Sequence, residues 1–286
     1  MRDPAEAVIC DLVLGILCFM FVFFFILGTI MGSFANALIF RFGHNRPILE
    51  DQRSYCDHCG KKLLWYELIP IVSFIALLGR CSGCKQRIAP WTLVVELCMG
   101  LGFVLAAVSA GTLDIVSIEY IHVARFVFVA LFVFACVFFF IIDWLYMIIP
   151  DQVSLPLIAL GTVGSIILEP GGWRGVVLAG ILGGSFFLAQ FVFSRGRWIG
   201  DGDIRLGVLL GVFLGVQHLL VALMLAYSIG MMIALALLAS RRFTLKSRIP
   251  FGAILMVAGG ISFWYGNHIV HWYLYDAPLL LLRLWG

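Results

Sequence analysis

An all-α, polytopic membrane protein of about eight transmembrane helices is the fold class this sequence predicts. The 286-residue chain is 63% hydrophobic and only 12% charged, with a mean hydropathy of +1.07. Soluble domains are about 25% charged and about half apolar, so most of this chain has lipid as its solvent. The apolar runs are long and unbroken instead of alternating with period two, which excludes a transmembrane β-barrel. Between residues 41 and 90 that pattern stops, and a polar stretch rich in Cys, Gly, Lys and Arg forms a small insert. The expected divisions are a first transmembrane segment at 1–40, the insert at 41–90, and a core of about seven helices at 91–286.

The apolar segments fall at 12–40, 91–110, 123–142, 153–168, 176–193, 204–216, 218–239 and 251–272. No small-residue cleavage site follows the first, which runs on into GSFANALIF, so it is expected to be a retained helix and not a signal peptide. Net charge is +3, and its distribution is more informative. Fifteen of the 19 Lys and Arg lie in three segments: 41–87, Arg195 to Arg205, and Arg241 to Arg248. The loops at 111–122, with Asp114 and Glu119, and at 169–175, with Glu169 and Arg174, are nearly free of positive charge. The positive-inside rule then puts every basic segment, the insert included, in the cytoplasm and both termini outside. Lipid is the expected surrounding, and nucleic acid is not an expected partner.

The sixth segment is unusual. At 13 residues it rises about 20 Å, against a hydrocarbon core of about 30 Å. Its start, RWIGDGDIRL, is expected to lie within the membrane thickness and to line a wet cavity. Either two helices occupy 204–239, or one long helix is broken at Gln217.

Eight cysteines divide into two groups. Cys10, Cys18, Cys98 and Cys136 sit singly in or beside apolar runs, where thiols behave as small hydrophobes. The others form Cys56-x-x-Cys59 and Cys81-x-x-Cys84. Two such knuckles aim four thiolates at one point and complete a tetrahedral Zn²⁺ site, coordinatively closed and therefore structural. Disulfides or free thiols are the alternative, and a reducing cytoplasm disfavours the disulfides. Gly60 supplies the permissive backbone such a knuckle needs. The insert is thus expected to be a small zinc-binding cytoplasmic module.

Acids near hydrocarbon are costly and mark function. Asp143 closes a long apolar run, FFFIID, whereas Asp151 follows Pro150 and suits a helix N-cap. Asp203 opens the sixth segment on the same expected membrane face as Asp143. Two carboxylates meeting in a partly desolvated site share a proton: the charged one activates water and the protonated one hydrogen-bonds a peptide carbonyl. That is aspartyl protease chemistry.

Gly200-Asp201-Gly202-Asp203 fits the G-x-G-D motif of intramembrane aspartyl proteases. The stretches GSFANALIFR, CDHCGKKLLWYELIPIVSF, GRCSGCKQRI, VVEL, IIDWLYMIIPDQVSLP and RIPFGAIL, in that order, resemble the type IV prepilin leader peptidases over roughly 28–255. The chain departs from that pattern after the GxGD motif, at Ile204-Arg205, and after IPFG, at Ala253-Ile254. Neither departure touches an acid.

The resemblance implies catalytic Asp143 and Asp203, with motif support from Gly200 and Gly202. Gly202 is expected to let the Asp203 backbone approach the scissile peptide, and Asp201 to cap the sixth helix or meet the substrate's basic leader. It implies cleavage of prepilins and type II secretion pseudopilins at the cytoplasmic face of a bacterial inner membrane. It also implies N-methylation of the new N-terminus by S-adenosylmethionine. No methyl-donor pocket is legible; Ser33, Asn36 and Glu96 are polar groups that serve either it or helix–helix hydrogen bonds. A proton-coupled transporter with an acidic relay is the alternative reading, and it requires acids near mid-membrane on several helices.

Overall fold

The computed structural model describes residues 4–44, 46, 54–56, 58–112, 119–169, 172–240 and 249–276, with side chains from Leu14 onward. The basic stretch 241–248, together with Arg53 and Asp114, lies outside them. The helices are α1 (Pro4–Gly43), α2 (Val72–Ala76), α3 (Trp91–Ala110), α4 (Tyr120–Tyr146), α5 (Asp151–Leu168), α6 (Trp173–Ser194), α7 (Asp201–Ala239) and α8 (Phe251–His271). Among the described residues there is no strand, and two isolated bridges, Tyr55–Lys62 and Arg80–Arg87, are the only β pairing. Seven helices, all but α2, are long and apolar enough to cross a membrane. The chain divides into two compact units, residues 1–137 and 138–286.

In the first unit α1 and α3 pack closely and antiparallel. A Cβ added at Gly32 would lie 2.7 Å from the Cα of Glu96, so only a glycine fits that crossing. The same pair is tied further along by Asn36 Nδ2, which donates to the Thr92 carbonyl at 2.9 Å. The insert between these helices is short on regular structure: one 3₁₀ turn, Trp65–Leu68, and α2.

The second unit holds the finding that reconciles eight predicted segments with seven helices. Gly215 interrupts α7 with φ 71° and ψ 174°, a conformation nearly closed to other residues. Before it, Leu206 meets Gly252 and Leu210 meets Gly259, so the first arm runs along α8 in the same direction. After it, His218 Nε2 pairs with Asn267 Oδ1 at 3.0 Å, whereas Tyr227 lies on Phe251 with ring centroids 5.2 Å apart. The second arm therefore runs back. The predicted sixth and seventh segments are the two arms of one helix folded on itself, and the break falls at Gly215 instead of Gln217. Polarity marked Gln217, but backbone geometry decides where a chain can reverse, and Gln217 is merely an exposed residue of the returning arm.

Candidate active site and metal centre

Asp143 lies in the last turn of α4 and Asp203 in the first turn of α7. Both are buried, at 7% and 9% exposure, although each is a carboxylate. The Asp143 Oδ2 accepts the backbone N–H of Ala253 at 2.8 Å, in the first turn of α8. Asp203 Oδ2 accepts the N–H of Gly200 at 3.2 Å, just before α7. A Cβ at Gly252 would lie 3.0 Å from both Asp143 Oδ2 and Leu206 Cδ1, so Asp143 rests against the turn of α7 that carries Asp203. Two helix N-termini thus converge on two carboxylates, and their partial positive charge favours the anion there. Among the described residues, neither acid makes an ion pair.

Three expectations about neighbouring residues change. Asp203 itself accepts the N–H at the start of α7, while exposed Asp201 pairs with Arg205 Nη1 at 3.4 Å and caps nothing. Asp151 does not cap α5 either: it binds Arg205 by two contacts, 2.9 Å to Nε and 3.2 Å to Nη2. Gly202 is required by a packed neighbour, because a Cβ there would lie 2.6 Å from Ile149 of the loop between α4 and α5. Gly200 contributes its N–H and has room for a side chain.

The start of α8 is a part of this site that the sequence did not reveal. Pro250 precedes the helix, and Phe251 is wedged between Tyr227 and Phe187, at 5.2 and 6.1 Å. That packing fixes the N–H of Ala253 against Asp143. The departure at Ala253 is harmless because only its backbone is used. A proline heading an apolar run was the available signal.

In the other unit the four cysteines come together as expected. Their sulfurs lie within 4.8 Å of one another, with Cys56 to Cys84 at 3.8 Å and Cys59 to Cys81 at 4.0 Å. A tetrahedral Zn²⁺ with bonds of about 2.3 Å needs sulfurs about 3.8 Å apart, whereas a disulfide needs about 2.05 Å. The donor set and its spacing fit zinc, so the cluster could hold that metal. The knuckles are copies of each other: Gly60 N–H returns to the Cys56 carbonyl, and Lys85 N–H to that of Cys81, at 2.9 and 3.0 Å. Both Gly60 and Lys85 have positive φ, 68° and 58°. Backbone N–H groups of Cys84 and Gly83 pull the Cys81 thiol down to about 6, whereas burial pushes Cys56 up to about 11, so one thiolate forms readily and its neighbour needs a cation to follow.

Glu67, another residue passed over in the sequence, staples this centre. Its carboxylate accepts Lys61 Nζ at 3.0 Å, Leu64 N–H at 2.8 Å and the hydroxyl of Ser82, which lies between the second pair of cysteines. Those hydrogen bonds, Ser82 first, hold Glu67 down at about 2. A lone acid within WYELIP was its signal.

Fold and site together define a multi-pass helical membrane protein with paired buried acids in one unit and a four-cysteine module in the other. Comparison with known proteins specifies it further. Residues 130–235 match the Type IV leader peptidase family, and residues 26–110 match the Bacterial Peptidase A24 N-terminal domain. The chain belongs to the type IV leader peptidase family and is an enzyme of that family. It is 28% identical to a prepilin leader peptidase/N-methyltransferase of Aeromonas hydrophila, over 94% of this chain and 98% of that protein. Similarly named proteins of Pseudomonas putida and Bacillus subtilis are 29% and 28% identical, covering 85% and 87% of this chain and 90% and 96% of theirs. No solved structure matches.

Proposed function

We propose that this protein is a membrane aspartyl endopeptidase that removes the basic leader from type IV prepilins and type II secretion pseudopilins. It acts at the cytoplasmic face of a bacterial inner membrane and then methylates the new N-terminal amine. The observation that carries the peptidase reading is the environment of Asp143 and Asp203: buried, borne on turns of α4 and α7 that both pack on Gly252, held by backbone N–H groups, and without a cation among the described residues. Such a pair accommodates one proton between them. The ionised carboxylate takes a proton from water as its oxygen attacks the scissile carbonyl, and the protonated one gives its proton to the carbonyl oxygen. Collapse of the tetrahedral adduct breaks the C–N bond, returns a proton to nitrogen, and releases the leader carboxylate and the pilin amine.

Methylation is carried over from the names of the relatives and from the resemblance of the N-terminal region. S-adenosylmethionine would supply the methyl group, and Cys56, Cys59, Cys81 and Cys84 would hold a structural zinc. The transporter reading finds little support, because the buried acids among the described residues are Glu67, Asp143 and Asp203, which trace no path along several helices. The test is incubation of the purified protein in detergent with a prepilin, followed by mass spectrometry of the product N-terminus. Loss of the leader and a methyl mass addition are expected. An uncut prepilin would overturn the peptidase reading, and a cut but unmethylated one the methylation reading.

A further inference from the structure

The methyl donor needs a site, and the first unit contains one large cavity whose polar groups the peptidase chemistry does not use. It encloses about 340 Å³, the scale that takes a nucleoside-sized ligand, between α1, the insert and the start of α3. Ser33, Asn36, Tyr55, Arg87, Trp91 and Glu96 are among its walls. We infer that this cavity is the methyl-donor site, holding S-adenosylmethionine with its sulfonium against the Glu96 carboxylate. The inference rests on the methylation proposed above and adds the residues that carry it.

Three observations point there. Among the described residues, three buried side-chain polar atoms lack a hydrogen-bond partner, and two of them, Asn36 Oδ1 and Tyr55 Oη, belong to this cavity's walls. Orphaned polar atoms are costly to bury. Each of these two is closed off from the cavity as the side chains stand, so a small side-chain shift would let a ligand's hydroxyl or amino group, such as those of a ribose and an adenine, relieve the cost. Next, the backbone beside the cavity is strained. Ile71, β-branched, sits at φ 61° and ψ −51°, closing a γ-turn in which Val72 N–H donates to Pro70 C=O at 2.5 Å. Strain of this kind persists where the surroundings enforce it, commonly at ligand clamps.

What enforces it is Glu96. Its Oε2 accepts the Ile71 N–H at 2.7 Å, with Asn36 beside it, which fixes the carboxylate in orientation. Among the described residues Glu96 makes no ion pair with a Lys, Arg or His. An anion held in orientation, without an ion pair to Arg41 or Arg87 of the same cavity, suits a ligand that brings its own positive charge. The sulfonium does so, and the Trp91 ring offers a face for the base. Arg87 offers a partner for the donor's own carboxylate.

The transfer balances without further reagents. Once water has taken the ammonium proton, the pilin amine attacks the methyl carbon. The N–C bond forms as the C–S bond breaks, the bonding pair stays on sulfur, and the positive charge passes from sulfur to nitrogen. The carboxylate faces a cation before and after.

That charge gives the test. Equilibrium binding of S-adenosylmethionine and of S-adenosylhomocysteine, whose sulfur is neutral, is measured on full-length protein in detergent, wild type and Glu96→Gln. Glutamine still accepts the Ile71 N–H, so only the charge is lost. Weakening of about tenfold for the sulfonium ligand, with little change for the neutral one, is expected. Tyr55→Phe should weaken both ligands several-fold, and leader cleavage retained by each variant shows that it is folded. A wild type that methylates a pre-cleaved pilin while Glu96→Gln binds both ligands unchanged would overturn the cavity and leave methylation standing. Absence of both methylation and binding in the wild type would remove both.

Discussion

Both compact units bury carboxylates, and they surround them in opposite ways. In the insert, Glu67 meets an ammonium, a hydroxyl and a backbone N–H, so its charge is fully answered and it is held at about 2. In the second unit, Asp143 and Asp203 have backbone N–H partners and, among the described residues, no cation. Burial is similar, 8% exposure against 7% and 9%, so burial alone does not separate a structural acid from a reactive one. The partner set does. An acid given a cation cannot easily exchange its proton, whereas two acids without one, in the peptidase role proposed for Asp143 and Asp203, would be prepared to pass it.

The comparison is broken most directly at the aspartates. Asp143→Asn or Asp203→Asn should each abolish leader cleavage, and the double variant should be no worse, because the two act as one unit. A single variant with turnover near wild type would remove that residue from the pair. A smaller but still large effect is expected at the cysteines. Purified protein should carry about one zinc per chain, and Cys81→Ser should release it, loosen the insert and impair methylation far more than cleavage. Active protein without zinc on metal analysis would contradict this.

Glu67 supplies the contrast itself. Because its folded value is lowered from 4.5 to about 2, its contribution to stability is fully present above 4.5 and is lost as pH falls toward 2. Proteolysis of the insert should therefore accelerate over that acidic window in wild type and less so in Glu67→Gln, which should already be loosened at neutral pH. Identical pH profiles would mean that the hydrogen bonds do not hold the insert. The smallest effect belongs to Asp201. It is exposed and paired with Arg205, so Asp201→Asn should slow cleavage by tenfold at most, about 1.4 kcal/mol in the barrier. Complete loss would mean that it touches substrate.

Much of this was legible in the residues. Membrane character follows from summed composition, and the cysteine cluster from short spacings that leave a knuckle little choice. Asp143 and Asp203 stood out because carboxylates beside apolar runs are conspicuous. What failed to show was decided by backbone geometry or by packing across the chain. Gln217 looked like the break because it is polar, yet the chain turns at Gly215, where φ is positive. Asp201 and Asp151 looked like caps by position, until Arg205 claimed both. Ser33, Asn36 and Glu96 stand out as polar groups near the insert, but the cavity they share was not legible, because its walls come from α1, the insert and α3.

The folded α7 also bears on the bilayer itself. Its first arm, Asp201 to Leu214, rises only about 20 Å, roughly 10 Å short of an ordinary hydrocarbon core. Lipid does not meet that shortfall, because Leu206, Leu209, Leu210 and Val212 to Leu214 are buried against α5, α6 and α8. A helix end at such depth is tolerated only where protein surrounds it. Loosening the packing around the first arm, more than any change in bilayer thickness, would therefore disturb the start of α7.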